Sequence, residues 1–277
     1  MRPSPPATTE PRADRSGAQV QVNEALWAGE DLVRHYAGRG LRPAEVMLLV
    51  RHREALGGRV LELGCGGGRL SGYLEELARD FRGLDISPLM VEHCSRMYPG
   101  GTFELGDLRD LSRYGDGSLD VVFASFNVID VLDRSERLRV LGELHRVIGP
   151  AGLLIMSSHN LAHAPLIPKP SKLSSRNPVR IARQLISLPR RERNRRRLLP
   201  LQRIESDHAI LIDEAHDYGI LHYYIGRDGQ ERQLADAGFE LLECLDLDGR
   251  VVTPGGQAAA YPELHYAARR VERSTTV

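Results

Sequence analysis

From Arg59 to Asn160 short apolar runs alternate with amphipathic stretches. Val60–Leu63, Phe81–Leu84, Thr102–Leu105, Leu119–Ser125 and Leu153–Ser157 have the length and flanks of buried strands. Leu70–Ala78, Leu89–Met97 and Glu136–Val147 space their apolar residues as helices do. Strands separated by helix-length connections predict right-handed βαβ units and a parallel sheet. Gly149-Pro150-Ala151-Gly152 punctuates the chain before the last of these strands. Past residue 203 the alternation resumes: Tyr218–Ile225 reads as a strand, Gln230–Ala237 as a helix closed by Gly238, Glu240–Leu247 as a strand, and a final strand lies within Glu263–Ala268. Ahead of the alternating region, Leu26, Trp27, Leu32, Val33 and Tyr36, then Val46, Met47, Leu49 and Val50, predict two helices interrupted near Gly38, Gly40 and Pro43. There is no internal repeat.

These patterns divide the chain into a disordered tail over 1–20, with four prolines, and an N-terminal helical cap over 21–57. An α/β domain over 58–160 and 204–277 is interrupted by an inserted arm over 161–203. The domain is expected to hold a mostly parallel seven-stranded sheet with helices on both faces.

Within the first strand-to-helix connection stands Val60-Leu61-Glu62-Leu63-Gly64-Cys65-Gly66-Gly67-Gly68-Arg69-Leu70. A buried strand entering a turn this rich in glycine brings backbone close to a ligand. The dinucleotide fingerprint fails because Arg69 occupies the place of its third glycine, and the Gly-Lys-Ser/Thr of a phosphate loop is absent. What fits is acid-x-Gly-x-Gly-x-Gly, from Glu62 through Gly64, Gly66 and Gly68. Asp85 ends the second strand, 21 residues after Gly64, and Asp107 ends the third. The fourth begins at Asp120 and runs out at Ser125-Phe126-Asn127.

On these residues the chain resembles the class I S-adenosylmethionine-dependent methyltransferases, over roughly Arg59 to Asn160 and the last two strands. The resemblance implies a Rossmann-like three-layer αβα sandwich with S-adenosyl-L-methionine as methyl donor. It places the donor's amino-acid tail along Glu62, Gly64, Cys65, Gly66 and Gly68. Its ribose would lie on Asp85 beside Ile86, its adenine on Asp107 and the Leu108 N–H, and its methyl group beside Ser125 and Phe126. Ligands of such sheets sit outside the carboxyl ends of the strands.

A hydroxyl acceptor wants a positioned base, whereas an amine needs only to be neutral. His159 and Asn160 stand at the end of the fifth strand, where His159 is the candidate base. Asn127 and Asp130 follow the fourth strand as further candidates. His222, Tyr223 and Tyr224 can present one face to an acceptor, and Trp27 and Tyr36 lie in the helical cap as candidate substrate contacts. No metal site is expected, since no zinc-protease pattern surrounds His159 and His163. Asp213-Glu214-Ala215-His216 spells the helicase box, but no phosphate loop accompanies it. The Asp/Asn-Pro-Pro-Tyr/Phe run of DNA amino-methylating enzymes is missing too.

Composition changes the picture in one place. The chain has 277 residues, 42% hydrophobic, with 37 basic and 37 acidic side chains. That suffices for a large core and excludes a low-complexity chain. No apolar run approaches the roughly 18 residues that span a bilayer, Met1–Glu10 has no apolar signal core, and three cysteines make no disulfide framework. A reducing, cytoplasmic setting is expected. The zero net charge, however, is a sum of unlike regions: 161–203 holds twelve basic residues and one acid, against a net −11 elsewhere. An arginine-rich arm suits phosphates and carboxylates. The expected acceptor is an oxygen or nitrogen of a small molecule or sugar, anionic chemistry included, as in secondary metabolism or glycan assembly. The alternatives are RNA or a peptide held by the arm, contact of residues 169–203 with nucleic acid or a membrane surface, and a module that binds the donor without catalysis. Composition leaves the oligomeric state open.

Overall fold

The structure, a computed structural model, describes residues 40–164, 178–255 and 261–272. Helix α1 (Pro43–Arg51) opens the described chain. Pro43 presets the first turn, and the Glu45 carboxylate turns back to accept the Arg42 N–H at 2.7 Å. A single-turn helix α2 (Arg53–Leu56) leads into β1 (Arg59–Leu63). Then follow α3 (Ser71–Leu77), β2 (Asp80–Asp85), α4 (Pro88–Met97), β3 (Thr102–Leu105), β4 (Leu119–Ala124), α5 (Arg134–Val147) and β5 (Ile148–Asn160).

These strands lie parallel in the order β3-β2-β1-β4-β5, each reached through a helical or long crossover. Successive residues of a central strand face opposite layers. Val122 and Ala124 pack with Leu141 and Leu144 of α5, while Val121 and Phe123 pack with Leu48 of α1 and Leu74 of α3. Three layers therefore share the sheet as their middle, the expected αβα sandwich.

The chain continues through α6 (Pro178–Leu198), β6 (Arg203–Ile204), β7 (His208–Ile212), β8 (Leu221–Ile225), α7 (Arg227–Asp236), β9 (Phe239–Leu245) and β10 (Glu263–Arg270). β10 runs antiparallel between β5 and β9, extending the order to β3-β2-β1-β4-β5-β10-β9.

Among the described residues the sheet has ten strands, not the expected seven. β5 is 13 residues long and loses its neighbour β4 after the pair Ala124↔Met156. Its last residues would present unpaired amides along that edge. β8 takes the place, pairing in parallel through His159↔Tyr224 and Asn160↔Ile225. β7 and β6 then add as antiparallel ribbons. The two-residue β6 and polar Glu205-Ser206-Asp207 turn hide these strands from a periodicity reading. Tyr218, read as the start of a strand, instead ends a turn in which His216, Asp217 and Tyr218 have φ of 50, 55 and 60°.

Helix α6 is tied to that turn. Arg190 pairs with Asp217, Asn194 Nδ2 donates to the Asp217 carbonyl at 3.1 Å, and the Arg191 guanidinium lies 5.3 Å from the Tyr218 ring centre. Among the described residues, no helix is long and apolar enough to cross a membrane.

Candidate functional site

The glycine turn after β1 is shaped by what surrounds it. Gly64 has φ +63° and Gly68 φ +77°, in the region that a side chain strains to enter. A Cβ would also strike the Val128 side chain at Gly64 and the Tyr98 ring at Gly68. Asp85, at the end of β2, anchors the turn: it accepts the Gly66 N–H at 2.8 Å and the Ser87 N–H at 2.9 Å. Burial holds its carboxyl above the usual range, against the pull of those backbone bonds.

Glu62 sits beneath, 4% exposed, accepting Ser71 Oγ at 2.6 Å. Burial pushes its carboxyl up to about 8. Arg69, just past the last glycine, reaches Glu45 of α1 with two bonds of 2.5 and 2.6 Å. Ser125 completes that buried cluster by bonding Glu45. Burial alone would raise Glu45, but the Arg69 bonds outweigh it and bring the carboxyl down to about 2.

A cavity of about 340 Å³ opens along the carboxyl ends of β1, β2, β4 and β5. Its walls include Glu62, Gly64, Cys65, Gly66, Asp85, Ile86, Asp107, Leu108, Ser125, Phe126, Asn127 and His159. The structure thus brings these twelve sequence-singled residues, and His222 with them, to one space. Gly68 stands behind the turn. Tyr223 is fully buried away from the walls, its hydroxyl accepting Gln233 Nε2 at 2.8 Å and its ring stacked on His208. Trp27 and Tyr36 lie outside the described residues. Asp107 is engaged by its own loop: burial would raise it, but Arg109 Nε at 2.9 Å and the Arg109 N–H at 2.8 Å hold it below the usual range.

β4 ends in two consecutive left-handed residues, Phe126 (φ 56°) and Asn127 (φ 60°). Such conformations cost of order 1–3 kcal/mol each and need support around them. Arg42 and Arg69 provide it, their guanidinium carbons 4.5 and 4.9 Å from the Phe126 ring centre, and Ser157 Oγ accepts the Asn127 N–H at 2.8 Å.

This bend aims the chain at Asp130, in the 3-10 turn Val128–Val131. Asp130 is fully buried and takes Arg137 Nη1 at 2.5 Å, Ser158 Oγ at 2.7 Å, and from His159 both the backbone N–H at 2.6 Å and Nδ1 at 2.8 Å. The His159 Nδ1 proton is therefore committed to a carboxylate. Asn127 Nδ2, oriented by its bond to Glu263 Oε2 at 3.0 Å, faces His159 Nε2 at 3.4 Å, which makes that nitrogen the acceptor. Burial and the neighbouring His222 both lower the His159 pKa, so the ring is neutral near pH 7.

Sequence reasoning offered His222 as an acceptor contact but missed the carboxylate that holds it. His222 lines the same cavity, and its ring stacks on His159 with centres 4.4 Å apart and planes 27° apart. Asp213, in the spelling set aside as a helicase box, takes His222 Nδ1 at 2.8 Å and the Tyr224 hydroxyl at 2.7 Å. Burial would lower His222, but the Asp213 carboxylate more than offsets it and raises its pKa. Ala215, His216, Arg42 and Glu263 also reach the walls. Only the fold reveals them, since they come from a turn, a helix entrance and the last strand. His159, His222 and Asp213 each bring one ligand-type atom within 4.8 Å of the others.

Residues 60–152 match the family model described as a methyltransferase domain. The chain is 36% identical over 109 residues to a probable S-adenosylmethionine-dependent methyltransferase of Mycolicibacterium smegmatis, a match covering 39% of this chain and 40% of that one. It is 32% identical over 135 residues to a ubiquinone biosynthesis O-methyltransferase of Azorhizobium caulinodans, covering 47% of each. These matches span less than half the length of those relatives. In fold it is similar to the Burkholderia thailandensis 1,6-didemethyltoxoflavin-N1-methyltransferase, with a TM-score of 0.58, 14% identity and 96% and 94% of the two chains covered. A Clostridium acetobutylicum S-adenosylmethionine-dependent methyltransferase also gives 0.58, at 10% identity over 83% and 92%.

Proposed function

We propose that this chain, which belongs to the class I S-adenosylmethionine-dependent methyltransferase family, moves the methyl group of S-adenosylmethionine to a hydroxyl oxygen of a small-molecule acceptor. The observation that carries this reading is the Asp130–His159 pair in the cavity wall, with Nδ1 held by Asp130 and Nε2 3.4 Å from Asn127 Nδ2 beside the end of β4.

The residues fit the donor. The glycine turn offers backbone to its amino-acid portion, Asp85 a carboxylate at the end of β2 for its ribose, and the Leu108 N–H with Asp107 a polar edge for its base. Bound there, it supplies a methyl already activated as a sulfonium. The chain then has to align the partners and manage one proton. Asp130 fixes the imidazole in the tautomer that leaves Nε2 unprotonated, and Arg137 keeps Asp130 ionised. His159 Nε2 takes the hydroxyl proton as the oxygen attacks.

Methyl transfer is read as S-adenosylhomocysteine release, using labelled donor and a panel of phenols, enols and sugars. His159→Ala should lower kcat about 10²–10⁴-fold while donor affinity stays within about twofold. A variant as fast as the parent would sink the base and return the reading to an amine acceptor.

One observation favours a second reading. Arg190, Arg193, Arg196 and Arg197 are exposed on α6, which is tied to the turn carrying Ala215 and His216 to the cavity. That surface suits an acceptor within a phosphate-rich macromolecule. Activity on such an acceptor would fall steeply between 50 and 200 mM salt, and activity on a neutral small molecule would not.

A further inference from the structure

Two imidazoles share the acceptor end of the cavity, and they are built alike. Each has Nδ1 pinned by a carboxylate, His159 by the fully buried Asp130 and His222 by the half-buried Asp213, at 2.8 Å in both cases. Each is thereby left with Nε2 as its working atom. The rings stack with centres 4.4 Å apart and planes 27° apart, so the two imidazoles are immediate neighbours in the cavity wall. Their chemistry is opposite. Asn127 Nδ2 donates toward His159 Nε2, marking it as an acceptor, while the Asp213 carboxylate favours a protonated, donating His222.

A base and a donor set side by side match two oxygens set side by side. We propose that His159 and His222 clamp an acceptor carrying oxygens on adjacent carbons of a planar, acidic system: a catechol-like or enediol-like hydroxyl pair. The inference rests on the reading of His159 as the acceptor-side base. In the step itself, the proton of one hydroxyl passes to His159 Nε2. That oxygen's lone pair forms the new O–CH₃ bond, and the C–S bond breaks with its electron pair going to sulfur. The products are the methyl ether, S-adenosylhomocysteine and an imidazolium at His159. His222 donates to the neighbouring oxygen, orienting the pair and stabilising negative charge as it develops, in a site where little water competes. His222 is thus a contact of the acceptor, and Asp213 a positioning residue that acts through it.

The test uses the whole chain, treated with a chelator and saturated with S-adenosylhomocysteine, and two chromophoric probes. 4-Nitrocatechol and 4-nitrophenol share the nitro-activated hydroxyl and differ by the adjacent oxygen. The expected result is that the catechol binds at least about tenfold tighter, roughly 1.4 kcal/mol, by absorbance titration. His222→Gln should bring the ratio close to one with S-adenosylhomocysteine affinity unchanged. Should that variant fail to fold, Asp213→Asn, which frees the ring without removing it, is read in its place with the same expectation. Equal affinities in the parent chain overturn the clamp, as does a preference that survives both substitutions. Binding that disappears on chelator treatment and returns with zinc also overturns it, in favour of a bridging metal. With S-adenosylmethionine in place of its product, an intact catechol preference without any methyl ether formed refutes the proposed transfer and leaves the clamp standing. Turnover of both probes at equal efficiency does the reverse.

Discussion

Asp130 is the residue on which most depends, because it answers to two masters. It neutralises Arg137, fully buried with it, and it orients His159. Asp130→Asn keeps the shape but leaves the guanidinium without its countercharge, and breaking such a buried pair costs about 3–5 kcal/mol. The urea midpoint should fall accordingly, and kcat with it. Glu62 supplies a different signature. Its carboxyl is raised from an ordinary value of 4.5 to about 8. The folded chain therefore holds a proton that the unfolded chain releases, and this contribution to stability is full below pH 4.5 and lost as pH rises through about 8. Glu62→Gln should flatten that slope and be relatively more stable at pH 8.5 than the parent, as measured by urea unfolding at pH 5 and 8.5. Asp85→Asn should weaken donor binding by roughly 1.5–3 kcal/mol in calorimetry, because it loses a charged acceptor that also holds the Gly66 N–H.

Among the elements, α1 is tethered at both ends, by Glu45 near its start and by Arg51, paired with Glu243, at its close. Glu45 is fully buried, and its bonds to Arg69 connect the helix to the glycine turn. With its carboxyl lowered from 4.5 to about 2, the tether's stabilisation is present above pH 4.5 and lost as pH falls toward 2. Glu45→Gln should destabilise the chain at pH 7 while narrowing its loss between pH 4.5 and pH 2.5, and hydrogen exchange should rise in α1 before the sheet. The first five strands were legible because each is a short apolar run between turn signals, and their crossovers have helical period. β5 proved longer than its apolar run, since Ser157, Ser158, His159 and Asn160 are polar yet remain in strand pairing with β10 and β8. β6 and β7 were not legible at all. Their existence depends on an edge that β5 leaves open, which no local pattern announces.

At the scale of the molecule, the two halves of the cavity differ in how they are written. The half proposed to hold the donor is compact in sequence: residues 62–68, 85, 107 and 125–127 each close or follow a strand, so a linear reading finds them. The half proposed to take the acceptor joins Asp130, His159, Asp213, His222 and Glu263 across long separations, and only strand pairing brings them together. Asn127 joins the halves through Glu263 and His159, but Asp85 and His222 stand on either side of that link with no hydrogen bond between them, so their energetics should separate. The effects of Asp85→Asn and His222→Gln on donor affinity should add within about 0.5 kcal/mol in a double-mutant cycle. The opposed charges, a net +11 over 161–203 against −11 elsewhere, are joined where α6 meets Asp217.

The overhang of β5 has a consequence for how such a protein can diversify. Everything that distinguishes the acceptor wall from the bare sheet on its β8 side arrives in one continuous stretch, β6 through β8, grafted by two residue pairs. With so few backbone pairs, the stretch depends on side chains for its hold: Tyr223 bonded to Gln233 and lying under Arg137, and Asp207 paired with Arg134. An exchange of residues 199–225 between relatives that carries those contacts with it should leave the order of the parallel strands as it is.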